Sequence, residues 1–139
     1  MDKKKLILDF IKKQKIAVLS TVTPDNKSQS AVLEFGQTET LEIIFDTFAT
    51  ARKYKNLKQN NHVSLVIGWD ENITVQYEGK AFALEGREQE HYKKLYFQKN
   101  PNAKRWETKE GMTYFIVKPT WIRYSDLNKD PWEVIEITF

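Results

Sequence analysis

Residues Ile73 to Leu84 read as one long strand, in which Ile73 to Glu78 alternate apolar and polar side chains and Gly79 stands near the middle. Ile73, Val75 and Tyr77 share one face of the expected strand, while Thr74, Gln76 and Glu78 share the other. A strand of this length twists too far to stay in a flat sheet. A glycine in its middle marks the bulge or bend by which barrel strands turn a corner. The same two-residue period recurs along the chain. Ile16 to Val22 reads as a strand closed by the turn Pro24-Asp25-Asn26-Lys27. In Gln29 to Phe35, Ala31, Leu33 and Phe35 face one way, and Ser30, Val32 and Glu34 the other. Leu41 to Phe45, Val63 to Ile67, Thr113 to Lys118, Trp121 to Tyr124 and Trp132 to Thr138 complete a set of seven or eight mostly antiparallel strands.

Three short helices interrupt them. In the first, Leu6/Phe10 and Ile7/Ile11 form i,i+4 apolar pairs, with lysines on the other side. The second opens at Arg52 and Lys53. The third runs from Glu85 to Phe97, buries Tyr92, Leu95 and Tyr96, and ends at Asn100-Pro101-Asn102 before a charged loop, Ala103 to Gly111. The expected fold class is mainly β (α+β), a small barrel with helical caps, as one domain over residues 1–139.

Composition narrows the chemistry. Hydrophobic residues at 40% support a packed core. The absence of cysteine removes disulfides, thiolate nucleophiles and cysteine-bound metals, and His62 and His91 alone do not make a metal centre. A net charge of +3 is too small to argue for nucleic acid as a partner. The apolar run Leu6 to Leu8 is too short for a signal peptide core, and no stretch is long enough to span a membrane, so a cytoplasmic protein is expected.

The segment Ile43 to Trp69 carries the functional signal. An apolar strand, Ile43-Ile44-Phe45, meets a polar turn, Asp46 to Thr50, and then a helix whose first turn holds Arg52 and Lys53. Helix N-termini already carry partial positive charge, so two cations there call for an anion, as in a phosphate site. Thr50 is the expected N-cap.

In order, Phe45-Asp46-Thr47, Ala51-Arg52-Lys53, Asn60-Asn61, Val63-Ser64-Leu65 to Trp69, Thr74 to Ala81 and Lys118 to Asp126 resemble the pyridoxamine 5′-phosphate oxidase-like family of FMN-binding split barrels. The closing segment is similar to the small general-stress-type members. The resemblance implies a split β-barrel homodimer with flavin mononucleotide at the subunit interface. Arg52 and Lys53 would bind the phosphate, beside Asp46 and Thr47. Ser30, Ala31, Val32 and Leu33 would run along the isoalloxazine ring. Thr74 or Gln76 would supply a polar contact from the long strand. Trp121, with Arg123, would come from the segment that covers the ring in a partner subunit.

Two departures matter. Ala51 replaces the family's serine, leaving Thr50 as the one nearby hydroxyl that can substitute. The chain ends Val134-Ile135-Glu136-Ile137-Thr138-Phe139, without the Arg-Leu-x-Pro segment of the true oxidase or its Arg/His pair for pyridoxal phosphate. Pyridoxamine phosphate oxidation is therefore not expected. What remains is a flavin-dependent oxidoreductase of unassigned substrate; the rival is a non-enzymatic module holding flavin, deazaflavin or haem.

Overall fold

The computed structural model describes residues 1–139. Helix α1 (Lys3–Lys13) leads into β1 (Ile16–Val22), β2 (Ser28–Glu34), β3 (Gly36–Gln37) and β4 (Ile43–Phe48). Helix α2 (Arg52–Gln59), β5 (His62–Ile67), β6 (Ile73–Ala83), α3 (Gly86–Lys99), a 3-10 helix (Pro101–Trp106), β7 (Met112–Asp126) and β8 (Glu133–Thr138) follow. The strands form one antiparallel sheet in the order β2-β1-β5-β6-β7-β4-β3, with β8 added to β7. Its two ends, β2 and β3, are separated in sequence by Phe35 alone. The sheet therefore curls back on itself as a split barrel.

The bulge expected at Gly79 is present. The β6–β7 register steps from Glu78 opposite Trp121 to Gly79 opposite Pro119. A Cβ on Gly79 would stand 2.4 Å from the Lys118 carbonyl oxygen, so only glycine lets β7 approach. That bulge also absorbs Pro119, and β7 runs through it as one strand where two were expected. Its first half pairs with β4 and its second with β8, while β6 runs along both.

Other boundaries shift for physical reasons. Asp46, Thr47 and Phe48, expected in a turn, extend β4 because Tyr114, Thr113 and Met112 of β7 supply their ladder partners. The charged loop expected from Ala103 begins instead inside the 3-10 helix, opened by Pro101, whose fixed φ suits a first helical turn. Helix α3 continues to Lys99, two residues past the expected end. The N-cap of α2 is Ala51 rather than Thr50, and no side chain caps it.

The barrel interior is filled by alternate residues of each strand, among them Ala17, Leu19, Phe45, Leu65, Val75, Tyr77 and Ile122, and α1 closes one opening with Ile7 and Ile11. Tyr77 donates its buried hydroxyl to the Leu41 carbonyl at 2.7 Å and also lies 3.2 Å from that of Val117. A second, smaller core lies outside the barrel, where Tyr96 of α3 and Ala103 pack on Ile44, Tyr114 and Ile116. No helix is long and apolar enough to cross a membrane.

Candidate functional site

Helix α2 carries Arg52, Lys53, Lys55 and Lys58 and no acidic residue, and none of the four forms an ion pair. It is held by Asn56, which is buried and donates through Nδ2 to Thr21 Oγ1 at 3.0 Å and to Gln29 Oε1 at 2.9 Å. These bonds lash the helix across β1 and β2 and fix its first turn against the edge strand. A small cavity of about 110 Å³ results, lined by Arg52 and Lys53 on one side and by Ser30 and Ala31 of β2 on the other. Asn56 carried no functional expectation from the sequence. The available signal was a poor helix former placed mid-helix among cations.

Lys53 also lines a second cavity, of about 270 Å³, farther along β2. Its walls include Val32, Leu33 and Glu34 of β2, Asp46, Thr47 and Phe48 of β4, Tyr96 of α3 and Trp106. Asn100 positions the α3 wall by donating through Nδ2 to the Phe35 carbonyl at 2.7 Å. Burial raises the Asp46 carboxyl above its ordinary value, and the charge of Glu34 adds to this; the nearby Tyr96 hydroxyl and the charge of Lys53 oppose it. Burial likewise raises the Tyr96 hydroxyl, helped by the negative charge of Asp46. Tyr114, the cross-strand neighbour of Asp46, keeps a buried hydroxyl with no partner and is pushed up to about 12, first by burial and then by Asp46.

Of the residues expected to hold a cofactor, the structure gathers Ser30, Ala31, Val32, Leu33, Asp46, Thr47, Arg52 and Lys53 around these two cavities, which share Lys53. Thr50 lies apart, exposed in an open groove beside Arg52, Lys55 and Lys58. Thr74, Gln76 and Trp121 stand elsewhere, on the outer face of β6 and β7. Cross-strand pairing places Gln76 and Trp121 in rows that begin at the site, while Thr74 pairs with Ser125 alone. One row runs Val32, Val18, Val66, Gln76, Arg123, Glu136, and the next Ser30, Ser20, Ser64, Glu78, Trp121, Thr138. Three strand spacings separate β2 from β6, about 14 Å within one chain. Arg123 Nε is buried on this face and makes no hydrogen bond, although Glu136 Oε1 lies 3.5 Å away.

Two cations without carboxylate partners, in the first turn of a helix, thus face an edge strand of a split barrel. The sequence profile of the pyridoxamine 5′-phosphate oxidase family matches residues 4–126, and the chain belongs to that family. A comparison with curated proteins finds no match. Among solved structures, General Stress Protein 26 from Bacillus anthracis is similar at 25% identity, with a TM-score of 0.76 over 99% of this chain and 100% of that one. A pyridoxamine 5′-phosphate oxidase-related, FMN binding protein from Nostoc punctiforme is 13% identical, with a TM-score of 0.69 over 90% of this chain and 86% of its own. A heme binding protein from Mycobacterium smegmatis reaches a TM-score of 0.82 at 14% identity over 93% of this chain, which spans only 55% of that protein's length. The last two likenesses concern the fold alone.

Proposed function

We propose that the protein binds flavin mononucleotide and uses it as an oxidoreductase, with its substrate unassigned. The observation that carries this reading is the pair Arg52 and Lys53, free of any carboxylate partner and facing the β2 backbone across a cavity. The residues fit the group. The two cations and the uncapped first turn of α2 would hold the phosphate. The Ser30–Leu33 backbone would hydrogen-bond the ring edge. The bound flavin would supply hydride transfer, and the protein would bind and orient it and limit access of water. The two histidines stand outside the cavity that lies against β2 and β4: His62 is exposed at the start of β5, and His91 is exposed on α3. That arrangement favours flavin over an imidazole-ligated haem.

The outer sheet face supports a homodimer. Val32 is 61% exposed, and Val66 and Val134 share its face, along with Arg123, which is ion-paired to Glu136. A second copy seated there would cover this apolar strip and bring Thr74, Gln76 and Trp121 to its partner's cavity. The expected cofactor set would then be complete only across the pair.

The test is the visible spectrum of the purified protein, followed by release and mass measurement of the chromophore. A flavin spectrum and the mass of flavin mononucleotide support the reading; a colourless protein that takes up none overturns it. Reduction of the bound flavin by a nicotinamide donor separates an enzyme from a carrier. A single-chain mass in light scattering would refute the dimer.

A further inference from the structure

A cavity of about 490 Å³, larger than either of the two beside β2, lies at the opposite opening of the barrel. Helix α2 is bonded to Thr21 near the end of β1, whereas this cavity opens where α1 precedes β1 and where β5 ends and β6 begins. It shares no lining residue with the cavities of the candidate cofactor site. Three aromatic residues line it: Phe10 of α1, Trp69 of the β5–β6 turn and Tyr124 of β7. Phe10 and Tyr124 meet edge to face, with centroids 5.7 Å apart and planes at 84°, so they form a corner rather than a slot. Gly68, with a φ of +81°, carries the turn past Phe10, and a Cβ there would collide with the ring. Trp69, the next residue, leaves 45% of its surface in water. Aromatic faces carry negative potential and attract cations. Lysine or arginine stands over Phe35, Tyr54, Phe82, Trp106, Tyr114 and Phe139, but over none of these three rings. Three carboxylates line the cavity against one ammonium group, that of Lys13. Asp9 is paired with Lys5 at 2.9 Å, while Asp70 and Glu71 form no ion pair. Both are exposed and hydrated, so neither lacks a partner; what they set is the sign of the local potential.

We propose that this cavity binds a small organic cation with an alkylated ammonium head, seated among Phe10, Trp69 and Tyr124 and drawn in by Asp70 and Glu71. Shape and charge together select this class. A corner of two rings fits a rounded head better than a flat one. Methyl groups on the nitrogen leave few or no N–H donors to satisfy. Such a head therefore enters an aromatic setting at lower cost than a primary ammonium or a metal ion, which would give up bound water without replacement. Anions are disfavoured by the excess of carboxylates. The site does not depend on the flavin reading, because the two sets of residues are separate.

Choline is the probe, in calorimetric titrations of the purified protein, with two controls. Dimethylbutanol has carbon in place of the charged nitrogen, and ethanolamine keeps the charge but lacks the methyl groups. Choline should bind at least about tenfold more tightly than either. Trp69→Leu should weaken choline by about fivefold, the loss of one cation–π contact at a half-exposed ring. Asp70→Asn combined with Glu71→Gln should weaken it by about threefold at low salt and by less at high salt. These acid-to-amide changes lie on an exposed turn and report even if Trp69→Leu fails to fold. The Arg52→Ala, Lys53→Ala variant should bind choline as the parent does, whatever becomes of its flavin. Choline that does not bind, or binds no better than dimethylbutanol, would overturn the proposal. So would choline affinity that is unchanged in the acid-to-amide protein and in any folded Trp69→Leu protein.

Discussion

Replacing Asn56 with alanine is the sharpest test of how the fold builds the site. The side chain is 4% exposed and makes two hydrogen bonds, to Thr21 and Gln29, that join α2 to the first two strands. A net contribution of about 1 kcal/mol per bond gives a loss of about 2 kcal/mol. Thr21 is itself 2% exposed, so its hydroxyl oxygen would be stranded without a donor. Leaving one buried group unsatisfied costs about 1–3 kcal/mol in full, part of which the first figure already includes, so the total should be about 2–4 kcal/mol. Alanine is the better helix former and returns only a few tenths of a kcal/mol. Urea unfolding followed by tryptophan fluorescence measures the change as a lower midpoint at constant slope. Flavin affinity should fall in the same variant, since the first turn of α2 loses its tether to β2. A midpoint shift worth under about 0.5 kcal/mol would show that Asn56 does not hold the helix.

Three further outcomes follow from other parts of the barrel. Gly79→Ala should destabilise the protein by roughly 2–4 kcal/mol or abolish folding, because the added Cβ meets backbone rather than a flexible side chain; a thermal melt unchanged from the parent would refute this. Tyr77→Phe should cost about 1–2 kcal/mol in urea unfolding through its lost bonds to the Leu41 and Val117 carbonyls, and a neutral effect would contradict them. Lys99 lies 3.7 Å above the Phe35 ring centroid with no carboxylate partner, and burial pushes its ammonium group down to about 7. The unfolded chain binds the extra proton between about 7 and 10.5, so stability should rise with pH from about 7 until tyrosines of the unfolded chain ionise near 10.0. Lys99→Met should flatten that rise, and an equal rise in the variant would assign it to other groups.

The barrel was legible because its evidence is local. The two-residue period of Ile73 to Glu78 and the glycine that follows it specify both a strand and its bulge. What escaped depends on partners distant in sequence. Asp46 and Thr47 are ordinary turn residues by type, and only their pairing with Tyr114 and Thr113 makes them strand. Pro119 breaks a central strand in any reading of sequence alone, yet it is accommodated where Gly79 opens the ladder. Arg52 and Lys53 stood out because cations are misplaced at a helix start. The cavity against β2 and β4 did not, because Glu34, Asp46, Tyr96 and Trp106 come from four separate elements. Asn56 was hidden for the same reason: its partners Thr21 and Gln29 lie on other strands. Thr74, Gln76 and Trp121 stand apart from the rest of the expected set within one chain, so a cofactor contact from them would require a second copy.

The central claim is that Arg52 and Lys53 hold the phosphate of a flavin. The most direct measurement compares flavin mononucleotide with riboflavin, which lacks only that phosphate, in the parent and in the Arg52→Ala, Lys53→Ala variant. The account predicts that the parent prefers the mononucleotide by about a hundredfold, as two charge-assisted contacts would give, and that the variant binds both weakly and alike. An unchanged preference in the variant, or none in the parent, would contradict it.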